Sequence, residues 1–234
     1  MGSDILKRLM LEFVGSLSYL LVGCIIELIV VHFLPIDFFV LKIVIIALGF
    51  SASFGIIYSL CNLKCNVDIN PLFTFATWLK SDISFYKMLS TIFIQILGAV
   101  EAGFIILLFF SSIFDSLTLG VGNNLLFSAS FNKIVLGEFL GSFIFTFFYF
   151  FSKHTNYSVK FRGLVLGLLL FLLLFVLIPF TGGSVNPARG FVANLFVNFD
   201  MCCQLGFYLV SSLAGALFST IIYHFLSYHH NSVS

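Results

Sequence analysis

Two Asn-Pro dipeptides, Asn70-Pro71 and Asn186-Pro187, stand in a chain with little other polar chemistry. Asn is a preferred helix N-cap and Pro is favoured at the first helical position, so each dipeptide marks a helix start. The apolar runs that follow, Pro71–Leu79 and Pro187–Val197, are too short to cross a bilayer, which takes about 20 apolar residues. A helix that begins inside a membrane has unpaired backbone N–H groups. Lipid cannot satisfy them, so irregular backbone at that depth must line a protein- or water-filled cavity. The preceding residues, Asn66–Ile69 and Gly182–Val185, then offer carbonyls as acceptors, and the Asn70 and Asn186 amides offer donors. Each helix N-terminus carries roughly half a positive charge. Where two such ends meet, cations and hydronium are repelled while water still receives hydrogen bonds. One Asn-Pro is more often a loop turn; two, each opening a short apolar run, are not. Arg189 follows the second start by three residues, and the next acid downstream is Asp200. An Arg in lipid surroundings costs about 3 kcal/mol or more, so this one is expected to be a fixed positive charge and donor in a pore.

The elements that must hold these groups are membrane helices. Of 234 residues, 60% are hydrophobic and only 9% charged, against about 25% charged in a soluble domain. The 33 Phe exclude a disordered chain, and five Cys are too sparse and odd for a disulfide scaffold. A net charge of +1 with no basic stripe gives no sign of nucleic acid as a partner. Six apolar runs are long enough to span: Leu9–Val31, Phe38–Leu60, Phe85–Phe110, Ile134–Phe151, Phe161–Phe180 and Leu205–Leu226. They are continuous rather than alternating, which excludes a β-barrel. The first holds Glu12 and Glu27 and lacks a small-residue cleavage site, so it is not a cleavable signal peptide. Glu27 and Glu101 lie within spans and need partners. Cys61 and Cys65 have metal-like spacing but no supporting His, so no metal and no cofactor is expected. No nucleophile–base pair suggests an enzyme.

The chain repeats itself. Glu12-Phe13-Val14-Gly15-Ser16 in span one matches Glu138-Phe139-Leu140-Gly141-Ser142 in span four. Three spans lie between the copies, so the halves, about 1–115 and 128–234, have opposite orientation, with the junction at Ser111–Asn132. Short interrupted segments in matching positions of inverted halves point to a site at the midplane. With a cytoplasmic N-terminus, that side holds Lys7, Arg8, Lys64, Lys80, Lys87, Lys153, Lys160 and Arg162, against Lys42 and Lys133 outside. Both termini are then cytoplasmic, His224, His229 and His230 form a solvated tail, and the sequon at Asn156 stays unmodified.

Thr181-Gly182-Gly183-Ser184-Val185-Asn186-Pro187-Ala188-Arg189 resembles the second signature of the aquaporin (major intrinsic protein) family. Cys65-Asn66-Val67-Asp68-Ile69-Asn70-Pro71-Leu72-Phe73-Thr74 resembles a diverged copy of the first. Glu12 and Glu138 fall where that family has a Glu in spans one and four, and Gln95-Ile96-Leu97-Gly98-Ala99 is similar to its third span. The resemblance covers nearly the whole chain. It implies an all-α hourglass of six transmembrane helices and two re-entrant half-helices, and a homotetramer with one pore per subunit. It places Asn70, Pro71, Leu72, Asn186, Pro187 and Ala188 at the central constriction. It places Leu174, Gly183 and Arg189 in an outer selectivity filter. Ungapped counting from Asn70 adds Phe50; anchoring on Ala47-Leu48-Gly49 adds Leu48 instead.

The chain departs from the family pattern in places. Leu72 stands where Ala is usual, which alters the packing of the helix tips. Asp68 stands where His is frequent, and is expected to cap the half-helix or be solvated rather than to gate. Leu174 stands where strict water channels resemble His, which weakens rejection of glycerol. The short stretch after Arg189, Gly190 and Phe207-Tyr208 resemble water channels instead. The expected function is a passive channel for water, with glycerol or another small neutral solute also admitted, excluding protons and ions. The alternatives are an aquaglyceroporin-type facilitator and a poorly conducting junction protein of the same fold. An ion-coupled transporter would need paired mid-span carboxylates or His. The expected partners are water, small neutral solutes and the lipid bilayer, with the plasma membrane as default location.

Overall fold

A computed structural model describes residues 2–110, 130–154, 157–195 and 202–233. Eight α-helices follow in order: α1 (Gly2–Phe33), α2 (Phe39–Asn62), α3 (Pro71–Leu79), α4 (Phe85–Phe110), α5 (Phe131–His154), α6 (Val159–Thr181), α7 (Pro187–Leu195) and α8 (Cys202–Val233). There is no strand among the described residues. Six helices are long and apolar enough to cross a membrane, and α3 and α7 are the two short ones. The fold is therefore the expected all-α membrane architecture. The helices overrun the apolar windows, because a helix continues past the lipid where its sequence permits. Thus α1 begins at Gly2 rather than Leu9, with Asp4 in its first turn complementing the helix dipole. The expected short run Pro187–Val197 is helical to Leu195, and the residues after it lie outside those described. Most of the expected junction Ser111–Asn132, Asn156 of the sequon, and the side chains of Cys202, Cys203, His229 and His230 also lie outside them.

Local sequence explains the ends that matter. Asn70, in an extended conformation, caps α3 by accepting from Leu72 N, with Pro71 at the first helical position. Pro179 lies near the end of α6, and Gly182 stops it in the left-handed conformation at φ 84°, its N–H donated to Ile178 O.

Packing follows the internal duplication. Helix α1 packs on α2 and α4 as α5 packs on α6 and α8. Helix α3 packs on α4 and α8 as α7 packs on α8 and α4. Two further contacts, α2 with α6 and α3 with α7, each pair an element with its own counterpart in the other half. The same atoms recur at the closest approaches. A Cβ at Gly98 of α4 would lie 2.5 Å from Phe13 O of α1, and one at Gly215 of α8 would collide with Phe139 O of α5. Backbones that approach this closely are how helices bind one another in lipid, where apolar side chains gain little by leaving the solvent. The outward faces are correspondingly apolar, with Leu108, Leu172 and Val210 exposed. Glu27 of α1 is buried and Glu101 of α4 is exposed.

Gly98→Val and Gly215→Val should each overpack a helix contact and destabilise the detergent-solubilised protein by about 1–3 kcal/mol. Gly206→Ala, with nothing within 4 Å of its Cβ position, should leave the melting temperature almost unchanged. Thermal unfolding of the three variants checks the contrast.

Candidate functional site

Each half-helix is preceded by a strained segment gripped by a buried carboxylate. Glu12 of α1 accepts from Asp68 N at 2.9 Å and from Ile69 N at 2.8 Å. Glu138 of α5 accepts from Ser184 N and Val185 N, both at 2.9 Å. Both carboxylates are fully buried. Gln95 Nε2 completes the first at 2.8 Å, and Thr181 Oγ1 completes the second at 3.0 Å. The gripped residues before the caps, Ile69 and Val185, have φ of 59° and 45°. Both are β-branched, for which a positive φ is a true outlier that persists only when the surroundings enforce it. The two starts then meet: Asn70 Nδ2 donates to Val185 O across the repeat at 3.1 Å. The side-chain oxygens of both Asn are engaged as caps, by Leu72 N at 3.0 Å and by Ala188 N at 2.9 Å. Their remaining amide hydrogens are therefore directed away from the helix starts. Leu72 and Ala188 are both buried.

Arg189 is 1% exposed. Its Nη1 donates to Gly183 O at 2.6 Å, and its guanidinium carbon lies 3.7 Å from the centre of the Phe50 ring. A Cβ at Gly183 would lie 3.1 Å from Leu174 Cδ2. Phe50, Leu174, Gly183 and Arg189 thus form one contiguous group, drawn from α2, α6, the segment before α7 and α7 itself. Leu48, the other candidate from α2, is half exposed in an apolar groove of about 600 Å³ between α2 and α6. Arg189 Nε and Nη2 have no protein partner among the described residues.

From Arg189 a file of buried rings crosses the molecule. Phe50, Phe54 and Tyr58 lie four residues apart on one face of α2. Tyr19 of α1 sits edge-on to Phe50 at 6.0 Å and to Phe54 at 5.4 Å. Phe54 meets Phe145 of α5 at 5.6 Å, and Phe145 meets Phe73 of α3 at 4.8 Å. Phe73 stacks on Tyr149 of α5 at 3.9 Å with the planes 10° apart. None of these rings is more than 1% exposed. The hydroxyls of Tyr19 and Tyr58 are buried without a protein partner among the described residues.

The far end of the file is an ion cluster. Tyr149 Oη donates to Asp68 Oδ1, and Lys153 Nζ lies within hydrogen-bond reach of that hydroxyl. Asp68 also pairs with Lys153 and with Arg8, each at 3.5 Å, and accepts from Thr74 Oγ1 at 3.1 Å. The expectation that Asp68 would cap the half-helix or be solvated does not hold. Asn70 caps the backbone, and the Asp68 carboxylate is buried and held by two bases. Lys153, Arg8, the Tyr149 hydroxyl and Thr74 surround the buried carboxylate with charge and hydrogen bonds.

Sequence reasoning missed Tyr19, Phe54, Phe73, Phe145 and Tyr149, and used Lys153 only to orient the chain. One local signal was present: Tyr149 and Lys153 are one helical turn apart in a span otherwise rich in Phe.

The sequence model described as "MIP: Major intrinsic protein" matches residues 2–223. No curated protein sequence matches significantly. Among solved structures, the X-ray structure of the aquaglyceroporin from Plasmodium falciparum is similar in fold, with a TM-score of 0.74 at 15% identity, over 94% of this chain and 95% of that one.

Glu138→Gln presents an amide hydrogen where two N–H donors converge, and each unpaired buried donor costs roughly 1–3 kcal/mol. Glu12→Gln should do the same in the other half. Both variants should lose thermal stability and the monodisperse peak in size-exclusion chromatography. Ser212→Ala, which removes only a 3.5 Å contact to Glu138, should retain both.

Proposed function

The chain belongs to the major intrinsic protein family, channels for small solutes in membranes rather than enzymes, and on that premise we propose that it is a passive channel for water that also admits glycerol or a similar small neutral solute. The observation that carries the reading is the meeting of the two half-helix starts, Asn70 donating to Val185 O, beside an aromatic file that ends on Arg189. Two positive helix ends and a fixed guanidinium oppose cations and protons. The donors without a protein partner, Arg189 Nε and Nη2 and the two Tyr hydroxyls, are placed to accompany a neutral hydrogen-bonding solute along that file.

In this reading Asn70, Pro71, Leu72, Asn186, Pro187 and Ala188 form the central constriction. Phe50, Leu174, Gly183 and Arg189 form the filter; the contact of Phe50 with Arg189, and the exposure of Leu48, favour Phe50 as the α2 member. Leu174 makes that wall apolar and supports passage of glycerol as well as water. A homotetramer, halves of about 1–115 and 128–234, cytoplasmic termini and residence in the plasma membrane belong to the same proposal. One observation favours the alternative of a poorly conducting member: the rings of the file are buried against one another, with at most 1% of any of them exposed.

Liposomes carrying the purified protein should shrink faster under an osmotic step than protein-free liposomes, and should take up glycerol. Leu174→His should lower glycerol flux and spare water. Permeability at the protein-free level overturns the channel reading, and unchanged solute preference in Leu174→His overturns the filter.

A further inference from the structure

We infer that Phe73 and Tyr149 form a second constriction, at the opposite end of the aromatic file from Arg189, and that Asp68 is the positioning residue that holds it narrow. This rests on the channel reading and adds to it the place where passage is limited.

The geometry singles out this pair. Phe73 is the third residue of α3, within the first turn after the cap, so its ring belongs to the same half-helix turn that Asn70 opens. It lies face to face with Tyr149 at 3.9 Å, the closest ring pair of the file. Phe145, one turn before Tyr149 on α5, closes on Phe73 at 4.8 Å, and Phe54 of α2 covers both, at 5.6 Å from Phe145 and 6.2 Å from Phe73. Three elements thus place four rings around one point, with no exposed edge between them. The pair is also remote from the filter. On α2, Phe50 beside Arg189 and Tyr58 at the other end are eight residues apart, about 12 Å along the helix axis.

Tyr149 is not free to swing aside. Its hydroxyl donates to Asp68 Oδ1 and lies 3.3 Å from Thr77 Oγ1, and the Lys153 ammonium sits 4.4 Å over its ring. Asp68 cannot follow it, because Thr74 and Arg8 hold its other oxygen and Glu12 holds its backbone N–H. To turn Tyr149 off Phe73 therefore breaks a charge-assisted hydrogen bond in a buried cluster. Among the described residues the Arg189 end has no acid in this role: its guanidinium meets a carbonyl and a ring. The two narrow points act in series, and enlarging the wider of two such points changes flux little.

The test is stopped-flow water and glycerol permeability of liposomes, normalised to the amount of full-length protein reconstituted. Phe73→Val should raise water permeability on the order of tenfold, the change expected for a barrier lower by about 1.4 kcal/mol, and should raise glycerol uptake with it. Tyr149→Phe keeps the stacked ring and loses only its tether, so it should give a smaller rise and fold even if Phe73→Val does not. Asp68→Ala, which leaves the Tyr149 hydroxyl no acceptor at this position, should match Tyr149→Phe, and the double variant should equal either single one, because both remove the same bond. Conduction by the parent, with Phe73→Val and Tyr149→Phe no faster, overturns the constriction and leaves the channel reading intact. Faster Phe73→Val with Asp68→Ala unchanged overturns the positioning role of Asp68. No conduction by the parent or any variant overturns both readings.

Discussion

A helix that starts in the middle of a bilayer exposes backbone that lipid cannot satisfy, and two buried carboxylates solve that problem here. Glu12 and Glu138 each accept a pair of consecutive N–H groups from the segment leading into a half-helix. Only a carboxylate suits the position, because two donors arrive from the same side and an amide would answer one of them with another donor. The rest of the architecture depends on this grip. It enforces the positive φ of Ile69 and Val185, which brings Val185 O within reach of Asn70. The close crossings at Gly98 and Gly215 bring α4 against α1 and α8 against α5, one residue along from each Glu.

The duplication is broken in its charges, and that breakage distinguishes the two ends. In the second half the conspicuous charge is Arg189, whose guanidinium rests on Phe50 and donates to Gly183 O. In the first half it is Asp68, which together with Glu12 is balanced by Arg8 and Lys153. A cation with unpartnered donors projects a field and offers hydrogen bonds. A balanced buried cluster projects little field and instead fixes geometry. The same scaffold therefore carries an electrostatic element at one end and a mechanical one at the other.

How much of this was legible in the sequence depended on whether a residue's role is local. Asn70-Pro71 and Asn186-Pro187 announce helix starts by rules that act within four residues, and both half-helices lie where those rules put them. Six spans follow from composition and length. Glu12 and Glu138 were visible as a repeat, but their partners are 56 and 46 residues away, beyond any local pattern. Asp68 was misjudged for the same reason: its partners Arg8 and Lys153 come from α1 and α5, and beside Asn70 alone it looks like a cap. The aromatic file was hidden by abundance. Among 33 Phe, nothing nearby in sequence marks Phe54, Phe73 or Phe145 as inward-facing.

That abundance has a physical reading. In lipid, apolar side chains gain little by leaving the solvent, so a buried file of rings is held by shape and by the polar groups at its ends. Its walls are ring faces, which offer an ion no replacement for its hydration shell beyond a modest attraction of cations to the π surface. The positive half-helix ends and Arg189 cancel that attraction and repel the cation outright. An anion gains from those same charges at the Arg189 end, but must then cross the rings, whose faces are negative. Neither sign of charge is stabilised along the whole length. A small neutral solute needs only a hydrogen-bond partner at intervals, and Arg189 Nε and Nη2 and the hydroxyls of Tyr19 and Tyr58 are buried polar groups without a protein partner among the described residues. Exclusion of ions, on the proposed reading, therefore comes from the mismatch between charged ends and an aromatic interior, and does not require that any single point be narrow.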